Sequence, residues 1–163
     1  IRDFGGKCFG PLINIHPRPW KKSKKFKETE WLNSGCTLYR KAALPKPAFE
    51  QKFTGYSFME DVALSRRVRK KWKISVARDA WYFHHTKPAS YKKNPALLHK
   101  MSLENRFHIL KEIEQWGNFE AKVAITWMEV LFLPSKIREV LKNPKKVSLF
   151  SGTLRGLAQI WGR

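Results

Sequence analysis

Two adjacent carboxylates, Glu60 and Asp61, open a run of apolar and basic residues in a chain otherwise dominated by cations. That is a place where a carboxylate can work as a proton acceptor. The first turn of a helix offers unsatisfied N–H groups and the positive end of the backbone dipole, and Arg66, Arg67 and Arg69 nearby favour the charged form. Asp61 is the candidate general base, with Glu60 second; capping the helix and pairing with Arg66 or Arg67 would use the same two side chains. Further on, His84 and His85 follow Trp81-Tyr82-Phe83. They are candidate metal ligands, although a polar strand end needs no more than they supply. Upstream, Ser34 offers a hydroxyl that can hydrogen-bond a ligand. Gly35 beside it lets the backbone approach a ligand or take positive φ, as plain turn geometry would also require.

The elements that position these residues follow from periodicity. From Glu60, Val62, Leu64, Val68 and Trp72 alternate with Arg66, Arg67, Arg69, Lys70 and Lys71, which predicts an amphipathic helix with a basic outer face. Ile74 and Val76, then Trp81 to Phe83, predict two short extended segments. Trp31 to Arg40 reads as a strand entered through Gly35, Arg18 to Lys27 as a cationic loop carrying Trp20, and Pro45 and Pro47 as breaks. Asn94 and Pro95 form an N-cap and first helical position for a helix running to Gly117. A second helix, Phe119 to Leu133, is apolar nearly all round and is expected to end at Pro134, with a short helix over Ser135 to Lys142 after it. Phe150, Leu154, Leu157 and Trp161 then recur at helical spacing among basic residues, a pattern suited to a membrane interface.

Composition bounds the rest. A chain of 163 residues with 7 Trp, 11 Phe and 4 Tyr has apolar surface enough for a core, which excludes a disordered basic tail. Two cysteines, Cys8 and Cys36, are too few for a disulfide scaffold or a Cys-based zinc site and favour a reducing compartment. No run of 18 apolar residues encodes a membrane span, and no signal peptide opens the chain. The net charge of +20 implies polyanionic company: phosphorylated substrates, an anionic membrane surface or nucleic acid. The excess is concentrated before Pro95, with 22 Lys and Arg against 7 Asp and Glu there and 11 against 6 after.

Taken together in order, Trp31-Leu32-Asn33-Ser34-Gly35-Cys36-Thr37-Leu38-Tyr39-Arg40, then Phe49, Phe53, Gly55-Tyr56, Glu60-Asp61, Leu64, Arg67 and Asp79-Ala80 through His84 resemble the C-terminal half of a family 2 glycosyltransferase. The likeness covers about residues 31 to 85. It implies an α/β fold: the distal portion of a GT-A mixed sheet with flanking helices over residues 1–95, then amphipathic, membrane-associating helices over 96–163. It also implies transfer of a sugar from a nucleotide-sugar donor to an acceptor hydroxyl, on a glycan or lipid-linked acceptor of cell-envelope synthesis. Asp61 would be the base, Ser34, Gly35 and Arg67 would bind substrate, and His84 or His85 would meet Mn²⁺ or Mg²⁺. Three positions depart from the family pattern. Ala63 stands where a second acidic residue is common, Ala48 where glycine precedes Phe49, and Lys70-Lys71 where glycine precedes Trp72. No Asp-x-Asp metal motif occurs, so the nucleotide-binding half is expected upstream and this chain alone is expected to be inactive.

A peripheral position on the cytoplasmic face of the plasma membrane follows from the tail and the charge. The rival reading is a nucleic-acid-binding module without catalysis, in which Lys21 to Lys27 and Arg66 to Lys73 meet phosphates while Trp20, Trp31 or Trp72 stack on bases. Paired zinc ligands and an aromatic RNP-like strand are both missing, which counts against it.

Overall fold

The computed structural model describes residues 7–8, 10–12, 26–77, 80, 83 and 94–163, and the chain divides into two compact units, Ile1–Thr86 and Lys87–Arg163. The first is mixed α/β. Strand β1 (Phe26–Thr29) pairs antiparallel with β2 (Ile74–Ala77), Phe26 facing Ala77 and Thr29 facing Ile74. Between them lies helix α1 (Glu60–Arg69), which begins at the acidic pair as its periodicity requires. Val62, Leu64 and Val68 turn inward with Ile74, and Leu32, Tyr39, Ala43 and Leu44 pack on that cluster. Trp72, expected on the same apolar face, lies beyond the helix and is partly exposed.

The segment Trp31 to Arg40 is not a strand. Ser34–Cys36 form a 3₁₀ turn in which the Asn33 side chain accepts from the Gly35 N–H (2.8 Å) and the Thr37 hydroxyl donates to the Asn33 carbonyl. Those local bonds satisfy the backbone without a partner strand, the usual way Asn and Thr compete with a ladder. The strand instead begins at Phe26, inside the expected cationic loop. Trp81, Tyr82, His84 and His85 lie outside the described residues, as do Trp20 and Lys21 to Lys25.

The second unit is helical. Helix α2 (Pro95–His108) starts as predicted, with the Asn94 carboxamide oxygen accepting from the Leu97 N–H at 3.0 Å and Pro95 at the first position. It continues as a π turn through Ile109–Ile113 and stops at Gln115, whose φ of 61° turns the chain. Gly117 serves instead as the N-cap of α3 (Asn118–Lys142).

Pro134 does not end that helix, which runs unbroken through 25 residues. Proline removes one N–H and leaves the Val130 carbonyl without its partner. Both residues sit on the exposed side, where solvent can replace the lost bond and the proline ring meets no neighbouring helix.

Helix α4 (Ser148–Trp161) packs on α2 through its small residues rather than through the apolar series read from the sequence. Gly152, Gly156 and Ile160 are buried, whereas Leu154 and Trp161 are exposed and Phe150 and Leu157 only half-buried. A Cβ on Gly152 would stand 2.5 Å from the Ala96 carbonyl oxygen, and one on Gly156 2.8 Å from Leu103 Cδ1. Absence of side chains there lets two backbones approach.

A polar cluster ties α2, α3 and α4 together. The Glu129 carboxylate, 5% exposed, accepts from Lys136 Nζ, from the Thr153 hydroxyl (3.0 Å) and from His99 Nε2 (3.0 Å). His99 Nε2 is also 2.9 Å from Lys136 Nζ, so the ring either donates to Glu129 or accepts from Lys136 but not both at once. Burial would raise the Glu129 pKa, yet the hydrogen bonds and positive charge of His99 and Lys136 outweigh it and hold the carboxyl at about 2.

Two outcomes follow for stability. Gly152→Ala should destabilise the chain by about 1–3 kcal/mol in urea unfolding, overriding alanine's better helix propensity, because the clashing atom is backbone. Gln159→Ala on the exposed side of α4 should stay within about 0.5 kcal/mol of the parent. For Glu129 the folded pKa lies below its ordinary value of 4.5. Its stabilisation is therefore complete above pH 4.5 and disappears as pH falls toward about 2. Unfolding measured across that window should show a shallower acid loss in Glu129→Gln than in the parent.

Candidate functional site

The approach to α1 is held in unusual backbone. Gly55 (φ 64°), Ser57 (φ 53°) and Met59 (φ 73°) are all left-handed, and Met59 is the N-cap without any side-chain cap. Non-glycine residues there cost of order 1–3 kcal/mol each, so the surroundings must impose the conformation. They do so by burying the Met59 side chain and by bonding the Ser57 hydroxyl to the Phe53 carbonyl at 3.0 Å. The effect is to swing the chain sharply into α1 with Glu60 and Asp61 in its first turn.

Across from them, the 31–34 segment is fastened by a residue of α1 itself. The Ser65 side chain is fully buried on the apolar side of the helix; its hydroxyl accepts from the Leu32 N–H (3.0 Å), lies 3.5 Å from the Leu32 carbonyl, and pairs with the Tyr39 hydroxyl at 3.2 Å. One turn back along α1, Asp61 Oδ2 accepts from the Ser34 N–H at 3.3 Å, and Oδ1 from the Val62 N–H at 2.8 Å. Ser65 thus sets the distance that lets Ser34 and Asp61 meet. Sequence reading missed it; the available signal was a serine between Val62 and Val68 on a face otherwise filled by aliphatic groups.

Two clefts open on either side of this contact, and Ser34 and Asp61 line both. One, of about 270 Å³, is mostly apolar, walled by Leu32, Tyr39, Leu44, Phe49 and Leu64. The other, of about 330 Å³, is more polar and is bordered by Trp31, Asn33, Glu60, Ser57 and the stacked pair Tyr56 and Phe58.

Cations are engaged elsewhere. Arg66 and Arg69 reach Glu30 at 3.5 and 3.8 Å, Lys7 reaches it at 3.6 Å, and Arg69 also lies 4.0 Å from Glu28. Arg67 pairs with Glu50 (3.5 Å) and donates to the Ala48 carbonyl (3.1 Å). Arg67, a candidate substrate contact, therefore secures the 48–50 segment that walls the apolar cleft. Among the described residues of this unit, Glu28, Glu30 and Glu50 each have a basic partner, while Glu60 and Asp61 have none. The expected pairing of the acidic residues with Arg66 or Arg67 does not occur, because those guanidiniums extend toward Glu30 and Glu50.

Burial raises the Glu60 pKa, the neighbouring Asp61 charge raises it further, and a hydrogen bond from Ser57 opposes both. Burial likewise raises the Tyr39 phenol, with the Ser65 hydrogen bond opposing and Asp61 adding to the rise. Gly35 has no left-handed φ; it lies in the 3₁₀ turn with its N–H bound by Asn33. The close approach expected at Gly35 is thus taken up by Asn33, and the left-handed glycine beside the site is Gly55. Among the described residues no three His, Cys, Asp or Glu side chains are grouped to hold a metal ion, and His84 and His85 fall outside them. No family model matches the chain, and no curated protein or solved structure matches it.

The Ser57 hydroxyl has one proton, shared between the Phe53 carbonyl and the Glu60 carboxylate. Ser57→Ala should therefore raise the Glu60 pKa further, and Asp61→Asn should lower it. Carboxyl-carbon NMR titration of Glu60 in the three proteins checks both directions; a Glu60 curve indifferent to Asp61→Asn would show that the two carboxylates do not sense each other.

Proposed function

We propose that residues 1–95 form the acceptor side of a family 2 type, GT-A glycosyltransferase, which transfers a sugar from a nucleotide-sugar donor to a hydroxyl of a glycan or lipid-linked acceptor. The observation that carries this reading is the pair Glu60 and Asp61: carboxylates without cationic partners, Asp61 lining both clefts and Glu60 the more polar one, in a unit whose other described carboxylates are neutralised. A carboxylate left unpaired among so many cations is one available to take a proton.

Asp61, lining both clefts, would accept the proton of the acceptor hydroxyl as that oxygen bonds to the anomeric carbon. The bond from that carbon to the donor diphosphate breaks, and its electron pair leaves on the phosphate oxygen. Glu60, its pKa raised by burial and by the neighbouring Asp61 charge, places a second carboxyl group beside it. Ser34 holds Asp61 through its N–H and leaves its hydroxyl near the same clefts for substrate. The described residues give a metal only two neighbouring carboxylates here, which is short of a closed ligand set.

The alternative, nucleic-acid binding, loses two of the contacts it was given. Trp31 is buried rather than free to stack, and the arginines of α1 serve Glu28, Glu30 and Glu50. No described helix is long and apolar enough to cross a membrane. The reading extends to a peripheral position on the cytoplasmic face of the plasma membrane, supported by the apolar residues that the helical unit leaves exposed.

In the full-length enzyme, Asp61→Asn should reduce sugar transfer by roughly two to four orders of magnitude with donor affinity little changed, since shape is kept and only the proton acceptor is lost. Glu60→Gln should cost less. Near-normal turnover in Asp61→Asn would overturn the assignment.

A further inference from the structure

Helix α3 buries Ala121, Ile125 and Met128 on its inner side and leaves a second apolar face exposed. The side it turns to α2 and α4 carries Lys122, Glu129 and Lys136, while Phe119, Val123, Trp127, Val130, Ile137 and Leu141, spaced by three, four or seven residues, face outward. Trp127 is 62% exposed and Leu131, beside it, 64%. The order is imposed by chemistry: Glu129 and Lys136 find every partner inside the unit, so the opposite side of the helix must face out whatever it carries. At one end the stripe continues onto α4, where Trp161 meets Phe119 edge to face at 6.2 Å and donates to the Thr126 hydroxyl at 3.1 Å. The result is an unbroken apolar surface about six turns long.

From this we infer that the outer face of α3 is the surface on which the helical unit lies in an anionic bilayer interface, the helix axis parallel to the membrane plane; the inference rests on the peripheral reading above. Charge selects the occupant. From residue 130 to the end the chain has seven Lys and Arg and a single acidic residue, Glu139. Arg138, Lys142, Lys145 and Arg155 are exposed. A second copy would bring the same positive charge to the contact, and nucleic acid would leave the apolar stripe in water. An anionic lipid surface takes both, burying the stripe among acyl chains and setting the cations against headgroups.

The test is flotation of the 163-residue chain with vesicles of equal parts phosphatidylcholine and phosphatidylglycerol, and with phosphatidylcholine alone. Binding should require the anionic lipid and weaken with salt. The double change Trp127→Glu, Leu131→Glu should weaken it roughly tenfold or more, whereas Leu154→Glu on α4 should change it less than about threefold. Trp127→Phe keeps the face apolar, so it should preserve binding while reducing the fluorescence quenched by brominated acyl chains, a readout that stands even if the charged variant misfolds; Trp161 at the end of the stripe accounts for what quenching is left. Absence of binding by the parent chain defeats the peripheral reading and this inference with it. Parent binding that survives the α3 changes, or quenching undiminished by Trp127→Phe, defeats only the assignment to α3. Concentration-dependent dimerisation abolished by the α3 changes, without vesicle binding, would mean the face belongs to a second copy.

Discussion

Carboxylates are scarce in this chain, 13 against 33 lysines and arginines, and where each one goes decides much of the structure. Glu30 gathers Lys7, Arg66 and Arg69 and accepts from the Cys8 N–H, joining the early segment to α1. Glu50 holds Arg67, and Glu104 holds Lys100 and Arg163. Exposed pairs of this kind are individually weak, but a partly buried carboxylate serving several cations is a junction. Among the described carboxylates of the first unit, Glu60 and Asp61 are the exception to that pattern.

The site is built by neutral hydrogen bonds rather than by charge. The Ser65 hydroxyl satisfies the backbone of Leu32 and the Tyr39 phenol in a buried setting where an unmade bond would be expensive. It brings the 3₁₀ turn at Ser34 beside the first turn of α1, while left-handed backbone at Ser57 and Met59 aims that turn. Strain on one side of the acidic pair and a buried serine on the other fix its position within the unit without any cation touching it.

In the helical unit the same logic works on the opposite kind of residue. Glu129, polar and buried, recruits partners from α2 and α4 as well as from its own helix. Breaking such a cluster is costly, so it fixes the rotation of α3 about its axis. Burying charge and exposing Trp127 and Leu131 is then a single structural decision. Gly152 and Gly156 add the close approach of α4 to α2 that the cluster needs to close.

The sequence by itself determined the features that depend on neighbours along the chain. The start of α1 at Glu60, the Asn94-Pro95 cap of α2, the strand at Ile74 and the existence of helices beyond Asn118 all rest on local periodicity and capping chemistry, and all are present. That Asp61 and Ser34 line the same clefts came from the fold, which brings residues 27 apart in the chain together. Tertiary structure decided what local pattern leaves open. Ser34 to Cys36 bonded locally instead of pairing as a strand, and Pro134 was carried through because its missing bond falls on the exposed side. The arginines of α1 were drawn to Glu28, Glu30 and Glu50, carboxylates 17 to 41 residues away in the chain. Which face of α3 turns inward was beyond reach for the same reason: the helix is apolar nearly all round, and the partners waiting for Glu129 on α2 and α4 select the side that also buries Ala121, Ile125 and Met128.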